Sequence, residues 1–333
     1  MITHIPDISK QVYKEDTFGV LEDRYSTIGP MWVSNQMEWM NGIYASFKDH
    51  DKYLIVIFLI KKTLDFYSRN FVKLSYLEFY SKETVEIEKF SVSEISKRLQ
   101  IPKESARRKV IELEAEGVLI IKKKKIIIDR SKFYHSKPED TIKRVSRFLS
   151  LLSIMCVEEK ILSKKITSEE LELIIKKDFS YIWKIYYELQ IPTMITYKSI
   201  FDDLESFHIF GTCVVNQHLF VKKLSENNMG RDTFVRIMLA ENKMEGINAM
   251  SISDITGIPR ATVIRKLRKL VKQRNLTIDF KKHYRLSGIF AKKLMPLQKD
   301  VLVKLSEFSC KIFNLNLNEK KAEYEVPFYL RNL

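Results

Sequence analysis

The segment Ser91–Asp129 reads SVSEISKRLQIPKESARRKVIELEAEGVLIIKKKKIIID, and the interpretation of the whole chain starts from it. Ser91 and Glu94 have the spacing of a capping box, in which a hydroxyl and a carboxylate satisfy free backbone N–H groups at a helix start. The pattern therefore predicts a short helix that begins after Ser91 and runs through Leu99.

A tight turn at residues 100–101 separates this helix from a second one. Pro102 suits the first position of the second helix, because its fixed φ helps there and its missing N–H costs nothing. Ala106, Val110 and Leu113 recur at i, i+4 and i+7, which predicts an inward stripe. The side chains expected to point away are Lys103, Glu104, Ser105, Arg107 and Arg108. This outward face suits contact with phosphates and base edges.

Gly117 is expected to end the second helix. Isoleucines then lie on both sides of four consecutive lysines, Lys122 to Lys125, which predicts a β-hairpin with a basic turn. Two short helices, a tight turn and a basic hairpin make a winged helix-turn-helix, a module that most often binds DNA.

The same pattern returns farther along the chain, at Met250–Leu270. With a constant offset of 157 residues and no gaps, Ile101-Pro102 falls on Ile258-Pro259, and Arg108-Lys109 falls on Arg265-Lys266. A second, less basic hairpin is predicted at residues 276–286, with Lys281 and Lys282 at its tip. We interpret the recurrence as a tandem duplication of a module of about 157 residues.

Helical stretches are predicted on both sides of each motif. An apolar helix starts near Tyr53, and a further helix occupies roughly residues 74–86. Amphipathic helices follow each hairpin, around residues 139–160 and 290–313. The Gly29-Pro30 and Ile191-Pro192 pairs are expected to break helices.

These features predict two domains, consistent with a length of 333 residues. The first module spans residues 1–160, with its winged helix at about 72–130. The second spans residues 161–333, with its winged helix at about 230–287. No Ser/Gly/Pro-rich linker separates them, so the two modules are expected to pack together. The predicted fold is mainly α with small β wings, and the flanking helices form a pseudo-twofold helical core.

The sequence ITGIPRATVIRKL at residues 255–267 resembles the helix-turn-helix of bacterial winged-helix transcription regulators, including the IclR and MarR types. The layout of the flanking helices is similar to that of MarR-type proteins, in which those helices form the dimer interface. A MarR-type chain usually carries one module, whereas this chain carries two. The resemblance therefore implies that one chain supplies its own pseudo-dimer, with a recognition helix in each major groove and a wing along the adjacent backbone or minor groove.

The candidate DNA-binding side chains combine hydroxyls, which reach phosphates or base edges, with guanidinium forks and ammonium groups. They are Lys103, Glu104, Ser105, Arg107, Arg108, Lys122, Lys123, Lys124, Lys125, Arg260, Thr262, Arg265, Arg268, Lys281 and Lys282. The alternative is that these charges form solvated helix faces. The recurrence of a hydroxyl and an Arg-Lys pair in both copies favours DNA contact. The first copy has the more basic hairpin and helix start, so it is expected to supply more of the affinity.

A net charge of +15 and a pI near 9.4 favour an anionic partner, either nucleic acid or a membrane surface. A lysine-rich composition also follows from a low-GC genome, so charge alone does not identify the partner. The amino terminus lacks the features of a signal peptide, and the longest apolar run, Tyr53–Ile60, is far below the ~20 residues that span a bilayer. A soluble cytoplasmic protein without a membrane partner is expected.

The three cysteines are too few and too scattered for a disulfide scaffold or a zinc site. They are expected to be small buried residues of a reducing compartment, with an oxidation sensor as the alternative. The six histidines show no paired metal-ligand spacing, so no metal or other cofactor is expected.

The chain has no P-loop, no Gly-x-Ser-x-Gly and no dinucleotide fingerprint, and nothing in it indicates an enzyme. Aromatic residues of the flanking helices are expected in the core, with a pocket for a small-molecule effector as the alternative. They are Trp32, Trp39, Tyr44, Tyr53, Trp183, Tyr186 and Tyr187. Three functions stay open: a sequence-specific transcription regulator, a plasmid-type replication initiator with two winged modules, and a winged-helix protein-interaction or chromosome-organisation factor.

Overall fold

The fold is mainly helical with small antiparallel sheets. A computed structural model describes residues 11–122, 125–136, 138–224, 228–240 and 246–324. The helices of this part of the chain are α1 (Lys14–Asp23), α2 (Tyr25–Phe47), α3 (His50–Arg69), α4 (Tyr76–Tyr80), α5 (Val92–Leu99), α6 (Lys103–Ala115), α7 (Glu139–Glu158), α8 (Ser168–Lys177), α9 (Phe179–Phe201), α10 (Leu204–Leu224), α11 (Arg231–Ala240), α12 (Ala249–Thr256), α13 (Arg260–Lys272) and α14 (Gly288–Tyr324).

Two small sheets accompany the helices. Strands β1 (Thr84–Ile87), β2 (Leu119–Lys122) and β3 (Lys125–Asp129) form an antiparallel sheet in the order β1-β3-β2. Strands β4 (Leu276–Ile278) and β5 (Tyr284–Leu286) form a two-stranded sheet. Both hairpins lie where the sequence predicts them.

The prediction of a helix over residues 74–86 is largely wrong. The helix there is limited to α4, and β1 occupies residues 84–87. Val85 lies opposite Ile128 on β3, and both side chains are buried. The alternation of Val85 and Ile87 inward with Thr84 and Glu86 outward is a strand pattern, and pairing with β3 stabilises it.

The two proline pairs do not break helices. Helix α2 continues through Pro30, and α9 continues through Pro192. A proline inside a helix removes one hydrogen bond and costs about 3 kcal/mol or more. Burial of most of both helices outweighs that cost, since each helix packs against neighbours along much of its length.

Helices from the two predicted modules pack against each other, as the missing linker predicts. Helix α3 packs on α9 and α2 packs on α10, while α1 packs on α14 and α7 on α8. One hydrophobic cluster includes residues from Val12 to Phe313. Each of these pairs joins a helix from residues 1–160 to a helix from residues 161–333, so the two parts share a core.

Two buried polar contacts join the modules inside this core. The amides of Gln36 on α2 and Gln190 on α9 form a reciprocal pair, with N···O distances of 2.9 and 2.8 Å. His50 Nε2 lies 3.2 Å from His208 Nδ1, and His208 Nε2 lies 2.7 Å from Oδ1 of Asn41. Because Asn41 accepts from Nε2–H of His208, Nδ1 of His208 is left to accept from His50.

Element lengths and spacings recur along the chain. Helices α1 and α8 both have 10 residues and begin at residues 14 and 168, while α2 and α9 both have 23 residues and begin at 25 and 179. Helices α5 and α12 both have 8 residues, and α6 and α13 both have 13. The starts of α6 and α13, at residues 103 and 260, are 157 residues apart, as are those of α5 and α12.

Candidate nucleic-acid interface

Local capping sets the bounds of α5 and the start of α6, which form the first predicted helix-turn-helix. The Ser91 hydroxyl accepts the N–H of Glu94 at 3.0 Å and begins α5. The Glu94 carboxylate binds Lys62 at 3.0 Å, so the cap is a serine cap and not the reciprocal capping box that the sequence suggested. Gln100 ends the helix in the left-handed conformation, with φ of 51°, and Pro102 directly precedes α6.

Helix α6 has the inward stripe that the sequence predicts. Ala106, Val110 and Leu113 are buried, with exposures of 0%, 7% and 0%. On the other side, Lys103, Glu104, Arg107 and Arg108 are exposed and Ser105 is half-buried. The helix therefore presents a polar face to solvent from its first turn onward.

Carboxylates partly neutralise the exposed arginines of α6. Arg107 Nε lies 3.0 Å from Glu104 Oε2, and Arg108 Nε lies 3.6 Å from Glu112 Oε1. Pairs one turn apart on an exposed helix are worth only a few tenths of a kcal/mol, so a phosphate can displace the carboxylate at little cost. They nevertheless lower the positive charge that α6 presents in the absence of a ligand.

The first hairpin carries its lysines outward. Lys122 and Lys125 are exposed and lie opposite each other in the β2–β3 ladder, next to the turn. Lys125 also lies 3.0 Å from Glu86 on β1. Lys123 and Lys124, which the sequence places at the tip, lie outside the described residues.

The second segment uses different residues to reach the same arrangement. The Asn248 side chain accepts the N–H groups of Met250 and Ser251 at 2.9 and 3.0 Å and begins α12. Gly257 ends that helix with φ of 68°, and Pro259 directly precedes α13. In both segments the residue before the Ile-Pro pair is therefore left-handed, Gln100 in the first and Gly257 in the second.

Helix α13 presents a more strongly basic face than α6. Arg260, Arg265 and Arg268 are exposed, and Thr262 is half-buried. The sequence of α13 contains no acidic residue, and within the described residues no carboxylate lies within ion-pair distance of these three arginines. The more basic helix thus belongs to the second segment, whereas the more basic hairpin belongs to the first. This changes the expectation that the first module has the more basic helix start and supplies more of the affinity.

Two lysines that the sequence grouped with the outward arginines are buried anchors. Lys109 pairs with Asp49, whose side chain also accepts the N–H groups of Asp51 and Lys52 at the start of α3. Lys109 itself is 8% exposed. The spacing could have shown this, because Lys109 follows the buried Ala106 by three residues and so lies on the inward face.

The second anchor repeats the first. Lys266 is 7% exposed and lies 2.7 Å from Asp203 and 3.4 Å from Glu205 at the start of α10. Asp203 also accepts the N–H of Ser206 at 2.7 Å. Burial raises the pKa of Asp203, but the bond and charge of Lys266 and the hydrogen bonds from Ser206 together outweigh it, so the pKa lies below its ordinary value. The recurrence of an Arg-Lys pair thus combines one outward arginine with one lysine that fixes the helix in place.

The second hairpin turn is closed by its own side chain. Asp279 Oδ1 accepts the N–H groups of Lys281 and His283, each at 2.9 Å. Lys281 and Lys282 are exposed, as predicted. Sequence reasoning missed Phe280, which is 90% exposed between them and Asp279.

The aromatic residues considered for an effector pocket are mostly packed in the core. Trp39, Tyr44, Tyr53, Trp183 and Tyr186 are all at most 7% exposed. Tyr187 lines a cleft of about 710 Å³ between α3, α5 and α9, with Lys62, Arg98 and Pro192 among its other lining residues. Trp32 lines a much smaller cavity of about 50 Å³ among α2, α9, α10 and α14.

Cys156 and Cys213 are buried, as expected, and Cys310 is half-buried. Burial raises the pKa of the Cys156 and Cys213 thiols to about 12, which disfavours the reactive thiolate. No three His, Cys, Asp or Glu side chains in the described ranges are grouped to hold a metal ion. None of the helices, over the residues that the structure describes, is long and apolar enough to cross a membrane.

Comparison of the chain with protein-family models, with curated proteins and with solved structures found no match. Function is therefore inferred from the geometry of the chain itself.

Proposed function

We propose that this protein binds double-stranded DNA sequence-specifically through two winged helix-turn-helix modules in one chain, and that it acts as a transcription regulator. Helices α6 and α13 are the recognition helices, each lying in a major groove, and the two hairpins contact the flanking backbone. The observation that carries the proposal is the pair of helix–turn–helix–hairpin segments, each with a basic outward face and a buried lysine anchor.

A tandem duplication accounts for the recurring element lengths. Helices α5 and α6 are followed 157 residues later by helices of the same lengths, with a left-handed residue and an Ile-Pro pair at the same place. The packing of α3 on α9 and of α2 on α10 is the reciprocal exchange expected of two related modules around a pseudo-twofold axis. One chain would then present two recognition helices in the manner of a dimer.

A short chain of contacts supports a fixed spacing between the recognition helices. Lys109 holds α6 to Asp49, which directly precedes His50. His50 contacts His208 on α10, and Lys266 holds α13 to Asp203 at the start of the same helix. Because every group in this path is buried or paired, the two helices are held as one body. We expect half-sites about one helical turn apart, roughly 10–10.5 bp, as for other paired recognition helices.

Charge divides the expected contributions between the modules. The Lys122–Lys125 hairpin supplies mainly sequence-independent contact with phosphates, which weakens steeply with salt. Arg265 and Arg268 on α13 lack competing carboxylates among the described residues and offer bidentate forks to guanine or phosphate. We therefore expect α13 to supply more of the base discrimination and the first hairpin more of the backbone affinity.

The alternative use of winged modules, as protein-binding surfaces, does not require a basic recognition face. The exposed arginines on both α6 and α13 favour DNA over a protein partner. The other alternative is that the exposed charges are only solvated helix faces. A solvated face needs no buried anchor beneath it, whereas Lys109 and Lys266 fix both faces at matched positions.

The test starts with selection of bound sequences from a randomised duplex pool by the full chain. Enrichment of a two-part, imperfectly palindromic site is expected. Arg265→Ala should weaken binding to that site by about 5- to 150-fold and relax one position, the loss of one bidentate base contact. Lys122→Ala/Lys125→Ala should lower the salt slope by about 1.8, because each lost phosphate contact changes it by ~0.9.

The matched control is Lys164→Ala/Lys165→Ala, which removes the same charge from two exposed lysines outside both helix–turn–helix–hairpin segments. This control should leave the affinity nearly unchanged. Weak binding without any enriched sequence, insensitive to substitutions in α13 and the first hairpin, would show that the proposal is wrong. Enrichment of direct repeats in place of a palindrome would point to a replication initiator.

A further inference from the structure

Phe280 lies at the tip of the second hairpin and is 90% exposed. Ile278, two residues earlier on β4, is 45% exposed. Within the described residues no aromatic ring packs on Phe280. At this exposure the Phe280 ring adds nothing to the core and is free to contact a ligand.

The turn that carries Phe280 is rigidly closed. The N–H of Asp279 donates to the His283 carbonyl at 3.0 Å, and the N–H of Lys282 donates to the Asp279 carbonyl at 3.0 Å. The Asp279 carboxylate accepts two more backbone N–H groups across the loop, from Lys281 and His283. Because five residues share four hydrogen bonds, the backbone that carries the ring is already ordered, and binding costs little further backbone entropy.

The surroundings of the ring are suited to a polyanion. Lys281 Nζ lies 5.7 Å from the centroid of the Phe280 ring, and Lys282 is exposed beside it. The Asp279 carboxylate is turned into the loop by its bonds to backbone N–H groups, which also lower its pKa. The tip therefore combines an apolar ring with two outward ammonium groups.

We propose that Phe280 is a wedge that inserts from the minor groove against a base step and kinks the duplex when α13 occupies the adjacent major groove. This inference rests on the proposed function. Apolar side chains that enter the minor groove unstack a base step and bend DNA, while neighbouring cations hold the two phosphate backbones. Lys281 and Lys282 are placed to make those phosphate contacts.

The wedge gives the two hairpins different tasks. The first hairpin is basic, with lysines at residues 122–125 and no aromatic residue in its turn. It increases affinity through charge alone. The second hairpin has fewer charges but carries the ring, so it reads how easily a base step deforms and contributes specificity without a base hydrogen bond.

The experiment uses the full chain and a duplex enriched from the randomised pool, with a donor and an acceptor dye at its two ends. A fluorescent base analogue at each step in turn reports unstacking. Phe280→Ala should weaken binding by about 5- to 100-fold, the loss of one base–aromatic contact, and should reduce both end-to-end energy transfer and base unstacking. The salt slope should stay the same, because no charge is removed.

Two control variants separate the ring from charge and from exposure. Lys281→Ala/Lys282→Ala should lower the salt slope by about 1.8 and leave the bend in place. Phe71→Ala removes an even more exposed ring, 97% exposed after α3, and should change neither affinity nor bend. Far-UV circular dichroism checks that each variant is folded.

Three outcomes would show that the wedge is wrong. If the wild-type chain binds and bends its site and Phe280→Ala does both equally well, the wedge is wrong and the proposed function stands. If the wild-type chain binds no duplex, the proposed function fails and the wedge fails with it. If Phe280→Ala keeps its DNA affinity but loses binding to vesicles of anionic phospholipid, the ring contacts lipid and the wedge is overturned.

Discussion

Acidification from pH 7.5 to 5.5 should destabilise the fold by about 4 kcal/mol, because three histidines are buried in the neutral form. His50, His208 and His218 are 4%, 0% and 3% exposed. Burial lowers the pKa of His50 to about 3 and that of His218 to about 4, and it lowers the pKa of His208 well below its ordinary value. Part of the lowering of the pKa of His50 comes from the charges of Lys266 and Lys109.

The magnitude follows from proton binding to the unfolded chain. An unfolded histidine has a pKa near 6.5, so above that pH neither state binds the proton and the full stability is present. Below it the unfolded state takes up protons that the native core cannot accept, and stability falls. One pH unit below, each histidine costs about 1.4 kcal/mol, and three together cost about 4. That is a large part of the 5–15 kcal/mol typical of a folded domain.

The assay is urea unfolding followed by tryptophan fluorescence and circular dichroism at several pH values between 5.5 and 7.5. Carboxylates stay ionised in this window, so the histidines dominate the slope. His218→Gln should reduce the slope by about one third, since it removes one of the three groups. A loss below about 1.5 kcal/mol at pH 5.5, or an unchanged slope in His218→Gln, would refute the reasoning.

Three further predictions concern contacts that the fold depends on. Gln36→Leu should lower the free energy of unfolding by about 1–3 kcal/mol, because it leaves the buried Gln190 amide without its partner. The double Leu variant at both positions should lose less than the sum of the two single variants. Additive losses in urea unfolding would contradict this. Lys266→Met should lower the free energy of unfolding by about 2 kcal/mol and also weaken DNA binding, because it frees α13 from α10. Stability by thermal unfolding and affinity by fluorescence anisotropy should fall together. Unchanged affinity in a folded variant would count against the anchor. Gly257 and Gln100 both have φ above +50° at the end of a helix, a conformation that favours glycine. Gly257→Ala should therefore destabilise the protein by about 1 kcal/mol, and Gln100→Gly should stabilise it by up to about 1 kcal/mol. Equal thermal midpoints for both variants and wild type would contradict the left-handed conformation at these positions.

The local parts of the fold could be read from the chain because they depend on neighbouring residues. Ser91 begins α5, and Gly117, at φ of 73°, follows the end of α6, where their hydrogen-bonding and backbone preferences place those boundaries. The inward stripe of α6 and both hairpins follow from the spacing of apolar residues. The outward position of Arg108 and Arg265 follows in the same way, since a helix face is set by a period of 3.6 residues.

The sequence by itself thus determined the helices, turns and hairpins of both segments and which faces of α6 and α13 meet solvent. Only the tertiary structure decided that residues 84–87 pair as a strand with β3, that α9 continues through Pro192, and that Lys109 and Lys266 are anchors. The physical reason is distance along the chain. Helical spacing alone places Lys109 and Lys266 on the inward faces, but the carboxylate that each one binds lies about 60 residues away, and no local pattern encodes which carboxylate that is.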